Sequence, residues 1–159
     1  MSWLHRWWHQ GDQFEWLTQF LRQRCLLRSA RLVMATVAAS ASLVPLSFLA
    51  GSQRPTAESL TLGIIGVGFT IGLTGYWLTR WPSRRQSEIA VVMGALLVAV
   101  WSLAQPTAAV QVLACTATAV TGGYIAFFHS TKILLFNFVV ALAIAAVASL
   151  RLAQDTDLA

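Results

Sequence analysis

The chain has 159 residues, of which 57% are hydrophobic and only 11% charged, and it carries a formal charge of +5. Ordinary soluble domains are roughly 25% charged, so these residues make one membrane domain and leave no space for a soluble partner domain. A nucleic-acid module would gather its basic residues on one accessible face. Here they sit at the ends of apolar segments, where membrane topology accounts for them, so no nucleic-acid partner is expected.

Residues 1–30 form a first, interfacial segment. Its opening Met1-Ser2-Trp3-Leu4-His5-Arg6-Trp7-Trp8 lacks the apolar stretch and small-residue cleavage site of a secretory signal. Trp3, Trp7 and Trp8 read as interfacial anchors. His5 and His9 share a helix face at a spacing that suits two metal ligands, but no third ligand completes a site and no metal is expected. Asp12-Gln13-Phe14-Glu15 reads as a capping box. From there Phe14, Trp16, Leu17, Phe20, Leu21 and Cys25 recur at helical spacing. The expectation is an amphipathic helix in the headgroup plane, with docking to a partner as the other reading.

Five stretches without Asp, Glu, Lys or Arg follow: Leu32–Ala50, Leu60–Thr79, Ile89–Ala104, Thr107–Phe128 and Ile133–Leu150. A membrane crossing takes about 20 apolar residues. The fold class is therefore all-α, a polytopic membrane helix bundle of five transmembrane helices over residues 31–152, preceded by the interfacial helix and followed by an extracytoplasmic tail, 153–159. Pro45 should kink the first span near its outer end. In the second span Gly68-Phe69-Thr70-Ile71-Gly72 is a GxxxG. Gly68 and Gly72 are expected to let another helix approach closely, either from this chain or from a second copy. The third span should begin near Ser83, with Pro82 in the turn and Arg84 and Arg85 reaching outward. Gln105-Pro106-Thr107 should turn tightly into the fourth span.

That fourth span is the most polar, and Ala119 and Gly123 repeat the small-residue spacing. Asn137 in the fifth span is placed to hydrogen-bond across the bundle. Gln111, Thr118, Tyr124, His129 and Asn137 are the candidate sensing pocket. His129 is the nearest approach to a haem ligand, but no second histidine lies at its depth, so no cofactor is expected. No carboxylate or amine lies mid-membrane, where ion-coupled pumps usually keep one. No Ser/His/Asp, Cys/His or paired-carboxylate set lies where water could reach it, so no catalytic residue is assigned. Cys25 and Cys115 lie at depths that make a disulfide unexpected.

The basic residues set the orientation. Arg6, Arg22, Arg24, Arg28, Arg31, Arg80, Arg84, Arg85 and Lys132 lie on one side, and Arg54 and Arg151 on the other. Cytoplasmic loops are the ones enriched in Lys and Arg. This places the N-terminus in the cytoplasm and the C-terminus outside, in a plasma (inner) membrane.

Three blocks carry a resemblance. Trp16-Leu17-Thr18, Leu78-Thr79-Arg80-Trp81-Pro82-Ser83-Arg84-Arg85-Gln86-Ser87 and Gly122-Gly123-Tyr124-Ile125-Ala126-Phe127-Phe128-His129-Ser130 resemble the membrane-embedded N-terminal region of actinobacterial GGDEF diguanylate cyclases. Asn137-Phe138 and Val147-Ala148-Ser149-Leu150-Arg151-Leu152-Ala153 fit the same pattern. The resemblance implies a sensory input module, which in that family usually has six helices leading into a domain that makes cyclic di-GMP from two GTP. Here five spans are present, and Gly122-Gly123 is followed by Tyr124 rather than by acidic residues, so no cyclase site carries over. The expectation is therefore a regulatory module of that type without its catalytic half, as a truncated product, a fragment or a stand-alone relative, acting as a homodimer or beside a full-length cyclase. The alternatives are a small permease or ligand-binding subunit around Gln111, Thr118, Tyr124 and Asn137, or a residual product with no activity of its own.

Overall fold

A computed structural model describes residues 13–50, 56–105 and 107–157, with backbone alone at 48–50 and 155–157. Among these residues the regular structure is all α-helix. The helices are α1 (Phe14–Gln23), α2 (Leu27–Ala41), α3 (Leu43–Ala50), α4 (Ala57–Thr79), α5 (Arg84–Leu103), α6 (Ala108–Phe128) and α7 (Thr131–Asp157). Five stretches are long and apolar enough to cross a membrane: Leu27–Ser47, which joins α2 to α3, and one in each of α4 to α7. The bundle turns residues such as Ile64, Ile71, Phe138 and Leu142 outward, each more than half exposed. A continuous apolar exterior is what a hydrocarbon surrounding requires. The chain is a multi-pass membrane protein.

Helix ends follow local chemistry. Ser83 caps α5 through a complete capping box, with its side chain accepting from the Gln86 backbone N–H and Gln86 Oε1 accepting from the Ser83 N–H at 2.9 Å. Thr56 caps α4 by accepting from the Ser59 N–H at 3.2 Å. The capping box read at Asp12-Gln13-Phe14-Glu15 falls partly outside the described residues, through Asp12. The N-cap is Gln13, which makes no side-chain capping bond. The anchors Trp3, Trp7 and Trp8, and His5 and His9, also lie outside them.

The first span breaks at Ser42, between α2 and α3. Pro45 supplies the cause, since its missing N–H and its ring both act on the carbonyl four residues back, at Ala41. At the other end of the chain, residues 153–157 are no separate tail. Helix α7 continues through them to Asp157.

Packing divides the bundle into two groups. Helices α2 and α3 lie on α4, while α5, α6 and α7 pack on one another, with α6 and α7 in the most extensive contact; α4 and α5 join the groups. The buried face of α4 runs Ser59, Gly63, Gly66, Thr70, Leu73, Trp77, alternating steps of four and three residues, and faces Ala35 and Ala38 of α2. Gly68 and Gly72 are two residues off this row, about 200° round a helix that turns 100° per residue. Both are exposed, and a Cβ on either would meet nothing within 4 Å. The expected GxxxG contact therefore does not occur within this chain. The small-residue reading of α6 needs the same correction. Ala119 and Gly123 are exposed, and the seam with α7 runs one residue earlier, through Cys115, Thr118 and Gly122. A Cβ on Gly122 would lie 3.2 Å from Asn137 Nδ2.

Candidate functional site

Two features stand out, and they meet. The first is a cavity of about 250 Å³ between the two packing groups. Its floor is α4 and α5, with Gly66, Phe69 and Gly94 at mid-span, and its walls are the first span and α6. Because α2 and α6 share no packing seam, the cavity is a groove open along its side. Its hydroxyls are already engaged: Thr70 Oγ1 donates to the Val67 carbonyl at 2.9 Å, and Thr121 Oγ1 to that of Ala117 at 2.9 Å. Side chains that bond back along their own helix leave methyl groups toward the interior, so the surface is apolar.

At one end the groove meets Trp77 and Tyr124, whose ring centroids are 5.8 Å apart. Here the second feature begins. Ser87 at the start of α5 is fully buried and holds both the Tyr124 hydroxyl, at 2.5 Å, and His129 Nε2, at 2.9 Å. A serine hydroxyl has one proton and two lone pairs, so Ser87 can accept from one neighbour while donating to the other, or accept from both. The Phe14 ring of α1 stacks on His129, centroids 5.7 Å apart and planes 20° apart. Phe14 also meets Trp81 at 6.3 Å and Phe128 at 6.0 Å. Trp81 Nε1 donates to Thr18 Oγ1 of α1 at 3.1 Å. At the same end Arg31 donates through Nε to the Trp77 carbonyl at 3.1 Å and through Nη2 to that of Leu78. A cation at a helix C-terminus satisfies orphan carbonyls and opposes the dipole.

A buried Ser–His pair raises the question of nucleophilic catalysis. Such chemistry needs a serine that substrate can reach and donors for an oxyanion. Ser87 is sealed at 0% exposure and its hydroxyl is shared with Tyr124, so in this structure the three side chains latch the start of α5 to the end of α6. His129 Nε2 is likewise engaged. No group of three or more metal-ligating side chains occurs among the described residues.

The five residues expected to share a pocket are divided among three places. Tyr124 and His129 are in the aromatic latch, and of the five only Tyr124 reaches the groove. Thr118 and Asn137 lie mid-seam between α6 and α7, where Asn137 Nδ2 donates to the Thr118 carbonyl at 2.9 Å. Gln111 lies at the opposite end of α6, donating from Nε2 to the Ser102 carbonyl at 3.2 Å. Nearby, Arg151 donates to the Gln105 carbonyl at 2.5 Å and to that of Leu103 at 3.2 Å. The reading of the sequence did not single out Phe14, Trp77, Trp81 or Ser87 as parts of a site. One signal was available: Trp16-Leu17-Thr18, the block from Leu78 to Ser87 and the block from Gly122 to Ser130 all contribute to this one latch, through Thr18, Trp81, Ser87, Tyr124 and His129. The chain matches no family model, no curated protein and no solved structure.

Proposed function

We propose that this chain is a membrane-embedded sensory or regulatory module of the diguanylate cyclase type, with its N-terminus in the cytoplasm of a plasma membrane and its output carried by α1. One observation supports it above the rest. A groove inside the bundle ends on Tyr124, which is joined through Ser87 and His129 to Phe14 of α1. Whatever displaces Tyr124 changes the bed on which Phe14 lies, so the state of the groove is coupled to the helix. The segments that resemble the cyclase sensory region are the ones that build this latch, which ties the resemblance to a working part. The permease reading gains less support, because of the residues it relied on only Tyr124 lines the groove.

The test is regulatory. Expressed beside a full-length membrane cyclase of the resembling group, the chain should change cellular cyclic di-GMP. Phe14→Ala should abolish the change while the protein still inserts. An unchanged cyclic di-GMP level with the unaltered chain, present in the membrane in normal amount, would overturn the proposal.

A further inference from the structure

We propose that the groove between the first and fourth spans binds a long-chain fatty acid, with its tail along α4 and α6 and its carboxylate at Arg31. Binding rests on the membrane setting of the five spans and not on the cyclase assignment; the signalling consequence rests on the function proposed above.

The surroundings restrict the occupant first. The lining reaches from Leu62 to Trp77 on α4 and from Ala114 to Tyr124 on α6, about 22 Å and about 15 Å at the helical rise. One leaflet of hydrocarbon is about 15 Å deep, so the groove runs roughly as far as a lipid tail does. Its open side faces hydrocarbon, where tails and other helices are the available partners. A helix is about 10 Å across with its side chains and needs several times the volume present. A single chain fits.

The end chemistry selects the head group. Arg31 uses Nε and Nη2 on two backbone carbonyls, while among the described residues its Nη1 makes no hydrogen bond and no carboxylate pairs with it. Trp77 connects that cation to the groove: its carbonyl accepts from Arg31 and its ring lines the wall. Its indole N–H is buried, in a residue only 6% exposed, with no acceptor among the described residues. A buried donor without an acceptor has lost its water and gained nothing in return. A carboxylate is the small group that suits this end, since it accepts from an N–H and its charge-assisted bonds to a guanidinium are the strong ones. Nothing else in the wall asks for polarity, so a long apolar tail with one small acid at its end matches the whole lining.

The probe is palmitate carrying a photoreactive diazirine near the end of its tail, added to the full chain in phosphatidylcholine nanodiscs. Labelling should saturate, compete with unlabelled palmitate and map to residues such as Phe69, Val98 and Ala117. Gly66 lines the groove and a Cβ there meets nothing within 4 Å, so Gly66→Leu has room for its first carbon and sends the rest of the side chain into the groove. It should cut labelling by about tenfold, since the added side chain takes the volume the tail needs. Gly68→Leu, on the opposite face, should leave labelling unchanged and shows that the insertion as such is tolerated. Arg31→Gln should weaken competition by palmitate but not by hexadecanol. Unsaturable labelling spread over Ile64, Ile71 and Leu142 overturns the proposal. So does labelling of Gly66→Leu equal to that of the unaltered chain. Saturable labelling in detergent that vanishes in nanodiscs also overturns it, since the groove then holds an ordinary phospholipid tail. If palmitate binds but cyclic di-GMP does not respond, the ligand stands and the signalling role fails.

Discussion

At the scale of single residues, the turn from α1 into α2 carries a strained choice. Cys25 has φ +56°, its N–H donates to the Arg22 carbonyl at 3.2 Å, and the Leu26 N–H donates to that of Leu21 at 2.9 Å. These are the two bonds of a Schellman motif, whose left-handed position is normally glycine. A side chain there costs about 1–2 kcal/mol, partly offset by the extra unfolded-state entropy a glycine would bring. Cys25→Gly should therefore stabilise the protein by about 1 kcal/mol, read as a higher melting temperature in detergent. The two adjacent glycines of α6 give a sharper contrast. Gly122→Leu drives a side chain into Asn137 and should lose about 1–3 kcal/mol. Gly123→Leu points into open space, where a Cβ meets nothing within 4 Å, and should leave the melting temperature nearly unchanged. Equal effects at the two positions would mean that the α6–α7 seam is misassigned.

At the scale of elements, α1 is held by one ring and one hydrogen bond more than by its length. Phe14 is 3% exposed, while Trp16 and Phe20 stack on each other outward, at 64% and 40% exposure. Deleting a buried phenylalanine side chain costs about 3 kcal/mol, and here the loss falls on one short helix. Phe14→Ala should raise amide exchange in α1 by roughly a hundredfold while exchange in α6 and α7 stays as it was. If α6 and α7 open as well, the latch is part of the core rather than a detachable cover. Element by element, legibility in the sequence followed contrast. Length and absence of charge marked all five spans, and Ser83, Pro82 and Pro45 marked real ends and breaks. The inner face of α4 was not legible, because small residues at Gly63, Gly66, Gly68, Gly72 and Gly75 dot both its sides. With apolar residues on every face, no polar stripe shows which row is buried. The more conspicuous GxxxG pair, Gly68 and Gly72, lies off the row buried within the chain.

At the scale of the whole molecule, orientation rests on the distribution of Lys and Arg. Alkaline phosphatase fused after Ala159 should be active and fused after Arg85 inactive, and the reverse pattern would invert the proposed topology. The site was the least legible level. Polar residues in spans were easy to find, but Gln111, Asn137 and His129 serve three separate places, and a pocket is a relation between helices that a single periodicity does not encode. The groove exists because α2 and α6 form no extensive seam, and a seam that is not made leaves no mark on either helix.

Helix α7 runs without a break from Thr131, two residues from the latch histidine, to Asp157, a rod of about 40 Å. Near its far end Arg151 grips the last carbonyls of α5. Between those two ends the rod is seated along α6, the most extensive seam of the bundle, where Asn137 bonds to the Thr118 carbonyl. Tilting α7 alone would open that close-packed seam along much of its length. A displacement at the latch end would therefore reach the Arg151 end as a movement of α6 and α7 together, carried by the pair as one stiff strut.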